Sequence, residues 1–286
     1  MFSKKTLRVV IQNMEGEFSP GVSSIEFKDL PIEAKITKTE LPAGIQATVH
    51  IYGASKKHMD EITTIQWITG FIVQKAILVY ADDGEGEKLL FQGNIMNAQP
   101  DYGSAPDVKI TINACAGAYY NLKSDVPPSS LEGEVPVHLI FQKICNDYGI
   151  KTIRNHGVIG KTCKNPRVEG FGMSNRLFAA SKAYDVYVII NNASVDIYPN
   201  GKGVIGTNWE FTPNTYIGYP TFTQTGIALR LDTLYDVNLM DYFTIKNSQV
   251  TPANDRWHVI RVSYNVSTKI GGKWFMAIEG VRVGVV

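Results

Sequence analysis

The feature that most limits the fold of this chain is a strict alternation of apolar and polar residues near its C-terminal end. The segment DRWHVIRVSYNVSTKIGGKWFMAIEGVRV contains two alternating runs separated by a Gly-Gly turn. Successive side chains of a β-strand point to opposite faces, so this pattern predicts a long β-hairpin. One face of the first strand is predicted to carry His258, Ile260, Val262, Tyr264 and Val266, and one face of the second Trp274, Met276 and Ile278.

The same two-residue period runs through the N-terminal part of the chain. The segments GIQATVHIY and DVKITINA alternate, and AILVYADDGEGEKLLFQGNIM predicts two strands joined by an acidic turn. The start of the sequence, MFSKKTLRVVIQNMEGEF, predicts a first strand rather than a secretion signal, because acidic residues follow its short apolar stretch too soon. One short helix, SKKHMDEITTIQ, is predicted to begin after Ser55, whose hydroxyl can cap the first turn.

The hydrophobic period changes after the Pro- and Ser-rich segment SDVPPSSLEGEVP (124–136), which we predict to be a linker. Apolar residues then recur at helical spacing, and Gly149 is a suitable C-terminal stop. A second helix is predicted from Ser174, and it leads into the hairpin VYVIINNASVDIYPNG. The apolar stripe of the first helix is predicted to be Val137, Ile140, Phe141, Ile144, Cys145 and Tyr148.

The alternation of apolar and polar residues returns from about residue 204. The segments GYPTFTQTGIALRL and NLMDYFTIKNSQV follow and precede the final hairpin. The segments therefore predict a mainly β chain with a small α/β middle domain. We expect a β-rich domain at 1–123, the α/β domain at 124–203 and a second β-rich domain at 204–286.

Composition excludes several classes of function. The formal net charge is +1, from 28 basic and 27 acidic residues, which argues against a sequence-specific nucleic-acid-binding protein. The longest apolar run, GFIVQKAILVYA, is too short and too interrupted for a membrane anchor, so we expect the chain to be retained in the cytoplasm where it is made. Cys115, Cys145 and Cys163 lack C-x-x-C spacing, so neither a disulfide scaffold nor a zinc site is predicted.

A search for catalytic chemistry finds no motif with the required spacing, and we predict no enzyme, no catalytic, cofactor or metal residues, and no cofactor. His258 is expected to be a packed or interface histidine, and the acidic segment ADDGEGEK a solvated turn rather than a calcium loop. The segment GKTCKNPRVEGFG (160–172) is predicted to be a flexible basic loop that contacts a partner. Possible carboxylates for a glycosidase pair are Asp185, Asp196 and Glu169, of which Asp196 is expected to face outward from its strand.

The order of these segments resembles the baseplate hub proteins of tailed bacteriophages, a family related to the VgrG-type hubs of secretion systems. The resemblance covers most of the chain. Asp241 is a departure, because it lies where the family usually has glycine. The segments that carry the resemblance are PAGIQATVHIYGASKKHMDEI, LLFQGNI, VPVHLIFQKICNDYGI, GFGMSNRLFAASKAYDVYVIINNASVDIYPNG, GYPTFTQTGIALRLDTLYDVNLMDYFTIKNS and WHVIRVSYNVSTKIGGKWFMAIEGV.

The resemblance implies two tail-tube-like β-barrel domains that flank the α/β insertion. It implies a structural hub in the virion, assembled in the host cytoplasm, in which a homotrimer forms a pseudo-sixfold ring. That ring would adapt the sixfold tail tube to the threefold central spike. The partners implied are tail tube proteins, the central spike protein, other baseplate proteins and the tape measure protein, with phage DNA passing through the channel.

Three alternatives remain open at this point. The first is a hub-associated enzyme that cleaves peptidoglycan, and the second is a hub component of a type VI secretion system or a tailocin. The third is a carbohydrate-binding β-protein, which would need exposed aromatic residues clustered on one sheet. The four tryptophans instead lie far apart in the sequence, at Trp67, Trp209, Trp257 and Trp274.

Overall fold

The computed structural model describes residues 5–14, 16–63, 75–121, 126–200 and 207–283. The protein is mainly β, with 47% strand and 15% helix, so the predicted fold class is confirmed at this level. Both predicted domain boundaries, at 123/124 and 203/204, lie outside the described residues, as does Trp67. We refer below to the first β region (5–121), the middle unit (126–200) and the last β region (207–283).

The first β region contains the strands and the short helix that its alternation predicts. Burial along GIQATVHIY alternates, and the Ser55 hydroxyl accepts a hydrogen bond from the His58 amide at 3.2 Å. The predicted C-terminal end of that helix, at Gln66, lies outside the described residues. The elements are β1 (Thr6–Asn13), β2 (Ser24–Phe27), β3 (Ile32–Thr39), β4 (Ile45–Tyr52), α1 (Lys56–Ile62), β5 (Lys75–Asp82), β6 (Glu87–Asp101), β7 (Lys109–Cys115) and α2 (Ala118–Asn121).

The middle unit contains both predicted helices and the predicted hairpin. Every residue of the predicted stripe on the first helix is buried, and Gly149 ends that helix in the left-handed conformation at φ 90°. A residue with a Cβ would be strained there, which is why glycine is favoured. The elements are β8 (Ser129–Ser130), β9 (Glu134–Pro136), α3 (Val137–Tyr148), β10 (Thr152–Asn155), β11 (Thr162–Lys164), β12 (Arg167–Val168), α4 (Met173–Tyr184), β13 (Val186–Asn191) and β14 (Ser194–Pro199).

Two segments of the middle unit are more ordered than predicted. The expected linker (124–136) and the expected flexible loop (160–172) pair with each other, because β9 pairs with β11 and β8 pairs with β12, both antiparallel. The Asn165 side chain also accepts a hydrogen bond from the Gly133 amide at 2.7 Å. Each segment thus supplies backbone hydrogen-bond partners to the other, which a local pattern in the sequence cannot show.

The last β region ends in the predicted hairpin, with one correction. A register shift between Val259 and Arg261 inserts a bulge, which reverses the alternation toward the start of β19. The interior face therefore carries Trp257 and Val259, and His258 and Ile260 are not on the face of Val262 as predicted. The elements are β15 (Asn208–Phe211), β16 (Thr221–Phe222), β17 (Ile227–Leu231), β18 (Tyr242–Ile245), a 3₁₀ turn (Thr251–Ala253), β19 (Arg256–Ser267) and β20 (Trp274–Arg282).

The two β regions share one sheet. Its strands follow the order β16-β17-β20-β19-β3-β4-β7-β6-β5-β1-β2, with β18 joined to β19 and β15 to β18. The seam is the antiparallel pair β3–β19, in which residues 33–39 pair with 261–267. One apolar core runs beneath strands of both regions. A second contact joins the regions, because the Leu234 amide donates to the buried Asp83 carboxylate at 2.8 Å.

The middle unit has its own smaller core, built around α3, α4 and the β13–β14 hairpin. Leu41, from the loop after β3, is part of that core, while Ile189 and Tyr198 pack against the core of the large sheet. A buried arginine also holds the unit together. The Arg176 guanidinium donates to the carbonyls of Gly170 at 2.9 Å and Pro127 at 3.1 Å, so its charge is solvated by backbone oxygens.

Candidate functional site

A buried polar cluster surrounds Asp196, on β14. Its side chain is 6% exposed. One carboxylate oxygen lies 2.8 Å from Arg154 Nε and 2.8 Å from His156 Nε2, and the other accepts from Asn191 Nδ2 at 2.5 Å. The His156 ring stacks on Tyr198 with centroids 4.3 Å apart. Both carboxylate oxygens are thus committed to donors, which makes Asp196 a structural ion-pair centre.

Parallel pairing of β10 with β14 explains this cluster. It puts Arg154 directly beside Asp196 and Asn155 beside Ile197. The prediction that Asp196 faces outward was wrong, because its side chain is covered by residues from a strand 40 positions earlier. The spacing of Arg154 on β10 and His156 directly after that strand was the available signal in the sequence. It identifies no partner, since a parallel neighbour cannot be located by alternation alone.

A cleft of about 470 Å³ opens beside this cluster, where the middle unit meets both β regions. Its walls include Lys38, Asp196, Tyr198 and Asp241. Asp241 accepts hydrogen bonds from Trp209 Nε1 at 3.1 Å and from the Asn238 amide at 2.9 Å. Burial raises the pKa of Asp241 above its usual range, while its two donors act in the opposite direction. Sequence reasoning noted Asp241 only as a departure from the family pattern and missed its position in this cleft.

The other carboxylates considered for a glycosidase pair have separate structural roles. Asp185 ends α4 in the left-handed conformation and lies 3.6 Å from Lys161 Nζ. Glu169 pairs with Arg167 on the surface. The acidic turn is less solvated than predicted, because Asp83 is buried and binds the Leu234 amide, whereas Asp82 accepts from the Gly84 amide within the turn.

Cys145 and His258 are buried and packed. All three cysteines are free, and burial raises the pKa of Cys145 to about 12, so its thiol is a small apolar side chain. His258 is buried against the ring of Tyr242, and burial lowers its pKa. Among the described residues, no group of three or more His, Cys, Asp or Glu side chains could hold a metal ion.

The outward side of the seam forms a polar surface across several strands. Strands β20, β19, β3, β4, β7 and β6 align their outward residues in rows across the sheet. We call this surface the polar sheet face. Three of its rows are Ala277, Ser263, Thr37, Gln46 and Cys115; Phe275, Asn265, Lys35, Thr48, Asn113 and Asn97; and Ser267, Glu33, His50, Thr111 and Gln99.

Neutral hydrogen bonds cross this face from strand to strand. Thr48 donates to Asn113 at 2.9 Å, and Asn113 in turn donates to Asn97 at 2.8 Å. His50 lies 3.0 Å from the Thr111 hydroxyl, and burial, with the nearby Lys109 charge, lowers the pKa of His50. Hydroxyls and amides that satisfy one another while facing solvent make a hydrated surface of low charge.

Charges on the polar sheet face are of both signs and include one ion pair. Arg261 lies 3.3 Å from Glu279 on the neighbouring strand, and the Tyr52 hydroxyl donates to Glu33 at 3.0 Å. Arg230, on β17, lies over the ring of Phe275, 4.6 Å from its centroid. The face therefore presents neither the basic stripe typical of a nucleic-acid-binding surface nor a large acidic patch.

Comparison of the fold with solved structures finds matches over nearly the whole chain. The 43 kDa tail protein of prophage MuSo2 from Shewanella oneidensis matches with a TM-score of 0.65 at 9% identity, over 96% of each chain. The tail protein from Neisseria meningitidis MC58 matches with a TM-score of 0.67 at 7% identity, over 99% of this chain and 98% of that one. The chain has the fold of a phage tail protein.

A third structure extends this comparison. It is an Escherichia coli protein described as a component of the type VI secretion system, with structural similarity to the T4 bacteriophage tail proteins gp27 and gp5. It matches with a TM-score of 0.62 at 6% identity, over 89% of this chain and 74% of that one. The predicted resemblance to phage tail proteins is thus confirmed at the level of the fold.

No protein-family model matches the sequence, and no curated protein matches it. Among the described residues, no helix is both long enough and apolar enough to cross a membrane.

Proposed function

We propose that this chain is the structural hub of a phage tail baseplate. The observation that carries the proposal is the fold match to two tail proteins, which extends over at least 96% of each of the compared chains. The three-part division at 1–123, 124–203 and 204–286 belongs to this proposal, with the first and last parts as tube-like barrels. Three copies would then supply six tube-like units, enough to join a sixfold tail tube to a threefold central spike.

The polar sheet face supports the position of the channel in this ring. The seam between β3 and β19 places strands of both β regions side by side, so one chain offers a wide and continuous wall. One side of that wall packs on the apolar core, and the other side is the solvated polar sheet face. A water-filled channel requires such a side, and we therefore orient the polar sheet face toward the channel of the trimer.

The partners of this hub would be tail tube proteins on one side and the central spike protein on the other, with other baseplate proteins and the tape measure protein nearby. The hub would belong to the virion and be assembled in the host cytoplasm. Phage DNA would pass through the channel without sequence-specific contact. The low charge of the polar sheet face supports this, because tight binding to DNA depends on clustered Lys and Arg residues.

A second candidate is the hub of a type VI secretion system or a tailocin, which the Escherichia coli structural neighbour favours. An enzyme that cleaves peptidoglycan has less support. In the cleft, both oxygens of Asp196 are bound by Arg154, His156 and Asn191. A zymogram on bacterial cell walls separates the enzyme from both structural candidates, because a structural hub leaves the walls intact and a clearing zone would establish the enzyme.

The proposed function is tested by the mass of the purified full chain in solution. Size-exclusion chromatography with light scattering is expected to give the mass of three 31.7 kDa chains. If the purified chain is monomeric, the same measurement is made after mixing with a tail tube protein. A chain that is monomeric on its own and that forms a dimer or a sixfold ring in the assembly would overturn the proposal.

A further inference from the structure

Two opposite charges line the cleft where the middle unit meets the β regions, and they are not paired with each other. One is the Lys38 ammonium, from the first β region, and the other is the Asp241 carboxylate, from the last. Among the described residues, no ion pair joins Lys38 to a carboxylate or Asp241 to a basic side chain. Two other charged residues of the cleft, Arg154 and Asp196, do pair. An unpaired charge in a partly buried position is costly, so a ligand that pairs with it gains affinity.

Lys38 occupies a strand position where the alternation calls for an apolar residue. Along β3, Ala34 and Ile36 are buried on the core-facing side, and Lys38 is the next residue on that side. Its ammonium lies over the ring of the buried Tyr264, 5.2 Å from the centroid. Burial lowers the pKa of Lys38, and the Asp236 carboxylate, beyond ion-pair distance, opposes this only in part. The ammonium is therefore positioned at the cleft with hydrogen-bond donors available to a ligand.

Asp241 provides the complementary group. Its Oδ2 atom accepts hydrogen bonds from Trp209 Nε1 and from the Asn238 amide. Its other oxygen, Oδ1, receives no hydrogen bond in the described part of the chain and remains accessible to solvent. The first two contacts fix the orientation of the carboxylate, and Oδ1 can accept a hydrogen bond from an ammonium or an N–H group of a ligand.

The walls between these two charges are suited to an apolar ligand that also carries amide groups. Leu90, Phe91 and Leu239 line the cleft, together with the neutral amides of Gln92 and Asn192. The volume of about 470 Å³ lies within the range of about 300–1,000 Å³ that is typical of small-molecule sites. The cleft thus combines apolar walls, neutral hydrogen-bonding groups and one unpaired charge of each sign.

We propose that this cleft binds a short apolar peptide with free ends. The peptide carboxylate pairs with Lys38, its amine donates to Asp241, and its side chains pack against Leu90 and Phe91. A simple anion or a simple cation fits less well, because it would leave one of the two wall charges without a partner. The site is formed within one chain, so the proposal does not depend on the hub function, and its failure would leave that function untouched.

The test is a ligand-observed NMR titration of the full chain with leucyl-leucine, for which we expect a dissociation constant of about 1 mM or lower. Leucyl-leucine amide, which lacks the carboxylate, should bind at least about tenfold more weakly, because a charged hydrogen bond is lost. Lys38→Met should weaken leucyl-leucine to the same extent and leave the binding of the amide unchanged. Lys35→Met is the matched control, because Lys35 is exposed on the opposite side of the same strand, and it should bind both ligands like the wild type.

The amine end is tested in the same way with Asp241→Asn. Asparagine keeps an oxygen that accepts from Trp209 and Asn238, so the wall is retained while its charge is removed. This variant should bind leucyl-leucine more weakly and N-acetyl-leucyl-leucine, which lacks the ammonium, as well as the wild type does. A wild type that binds no leucyl-leucine at millimolar concentrations would overturn the proposal. Equal affinity for leucyl-leucine and its amide, or equal losses for Lys35→Met and Lys38→Met, would also overturn it.

Discussion

The large sheet and the middle unit are stabilised by different means. The sheet buries a long apolar core beneath strands of both β regions, beside which its buried polar residues, such as Asp83 and His258, are few. The middle unit has a smaller core, and it places Arg176 and Asp196 inside with their hydrogen-bond partners. Small units bury a lower fraction of their surface, so buried polar contacts fix the relative positions of their segments.

This difference predicts where substitutions act. In the sheet, the loss of a large apolar side chain should be costly, while changes on the polar sheet face should cost little. In the middle unit, the loss of a buried polar group should be costly even though no apolar contact is removed.

The largest effect is expected for Trp257→Ala in the sheet. Trp257 is 4% exposed, and its indole donates to the Ala253 carbonyl at 3.0 Å. Its removal should destabilise the fold by about 3–5 kcal/mol, the range for large aromatic residues in cores. Chemical denaturation measures this loss. Trp274→Ala is the comparison and should cost less, because Trp274 is only partly buried. An equal loss of stability for the two variants would contradict the greater importance of Trp257 in the core.

A smaller but clear effect is expected for Asp196→Ala in the middle unit. The substitution leaves Arg154, His156 and Asn191 without their shared acceptor. We expect a loss of about 1–3 kcal/mol rather than the full cost of a broken buried pair, because the Arg154 side chain is half exposed and can regain water. Ser194→Ala on the same strand removes only a hydrogen bond from Arg154 and is the control. Equal losses for both variants would show that Asp196 is not the centre of the cluster.

Acidification should destabilise the last β region through His258. Burial lowers the pKa of His258 in the folded protein, so the folded state binds fewer protons than the unfolded state. The stability that this residue contributes is complete above its unfolded pKa, about 6.5 for histidine, and falls as the pH decreases below that value. Urea titrations between about pH 5 and 7 should show a smaller loss for His258→Gln than for the wild type. If the free energy of unfolding falls equally with pH in His258→Gln and in the wild type, His258 is not the cause of the acid destabilisation.

The smallest effect is expected on the polar sheet face. Thr48→Val removes the hydroxyl that donates to Asn113 and retains a β-branched side chain suited to a strand. Asn113 keeps its contact with Asn97, so the change in stability should lie within about 0.5 kcal/mol. Val49→Thr, the adjacent and fully buried position, is the control and should cost far more. A large loss for Thr48→Val would mean that the face is packed rather than solvated.

Local patterns in the sequence predicted the elements of this fold better than their assembly. Helix α3 was predicted residue by residue, because its apolar period and Gly149 are neighbours in the chain. The β3–β19 seam was not predicted, since its strands lie more than two hundred residues apart and alternation does not identify a partner. The bulge at Ile260 was missed for a related reason, because it appears only when the register with β20 is known.

The same limit applies to the candidate site. The polar residues of each strand could be predicted from alternation, but their alignment into rows requires the strand order. Asp196 was expected on a surface, and only the parallel pairing with β10 shows it beneath Arg154 and His156. The cleft beside Asp241 depends on contacts between three parts of the chain, so no local pattern could indicate it.

The most direct test of this account is electron microscopy of the isolated protein or of its complex with a tail tube protein. A trimeric hub is expected to give class averages of a closed ring with threefold symmetry, six peripheral lobes and a central channel bounded by the β regions. Class averages of a ring with twofold or true sixfold symmetry of this chain, or of particles without a channel, would contradict it.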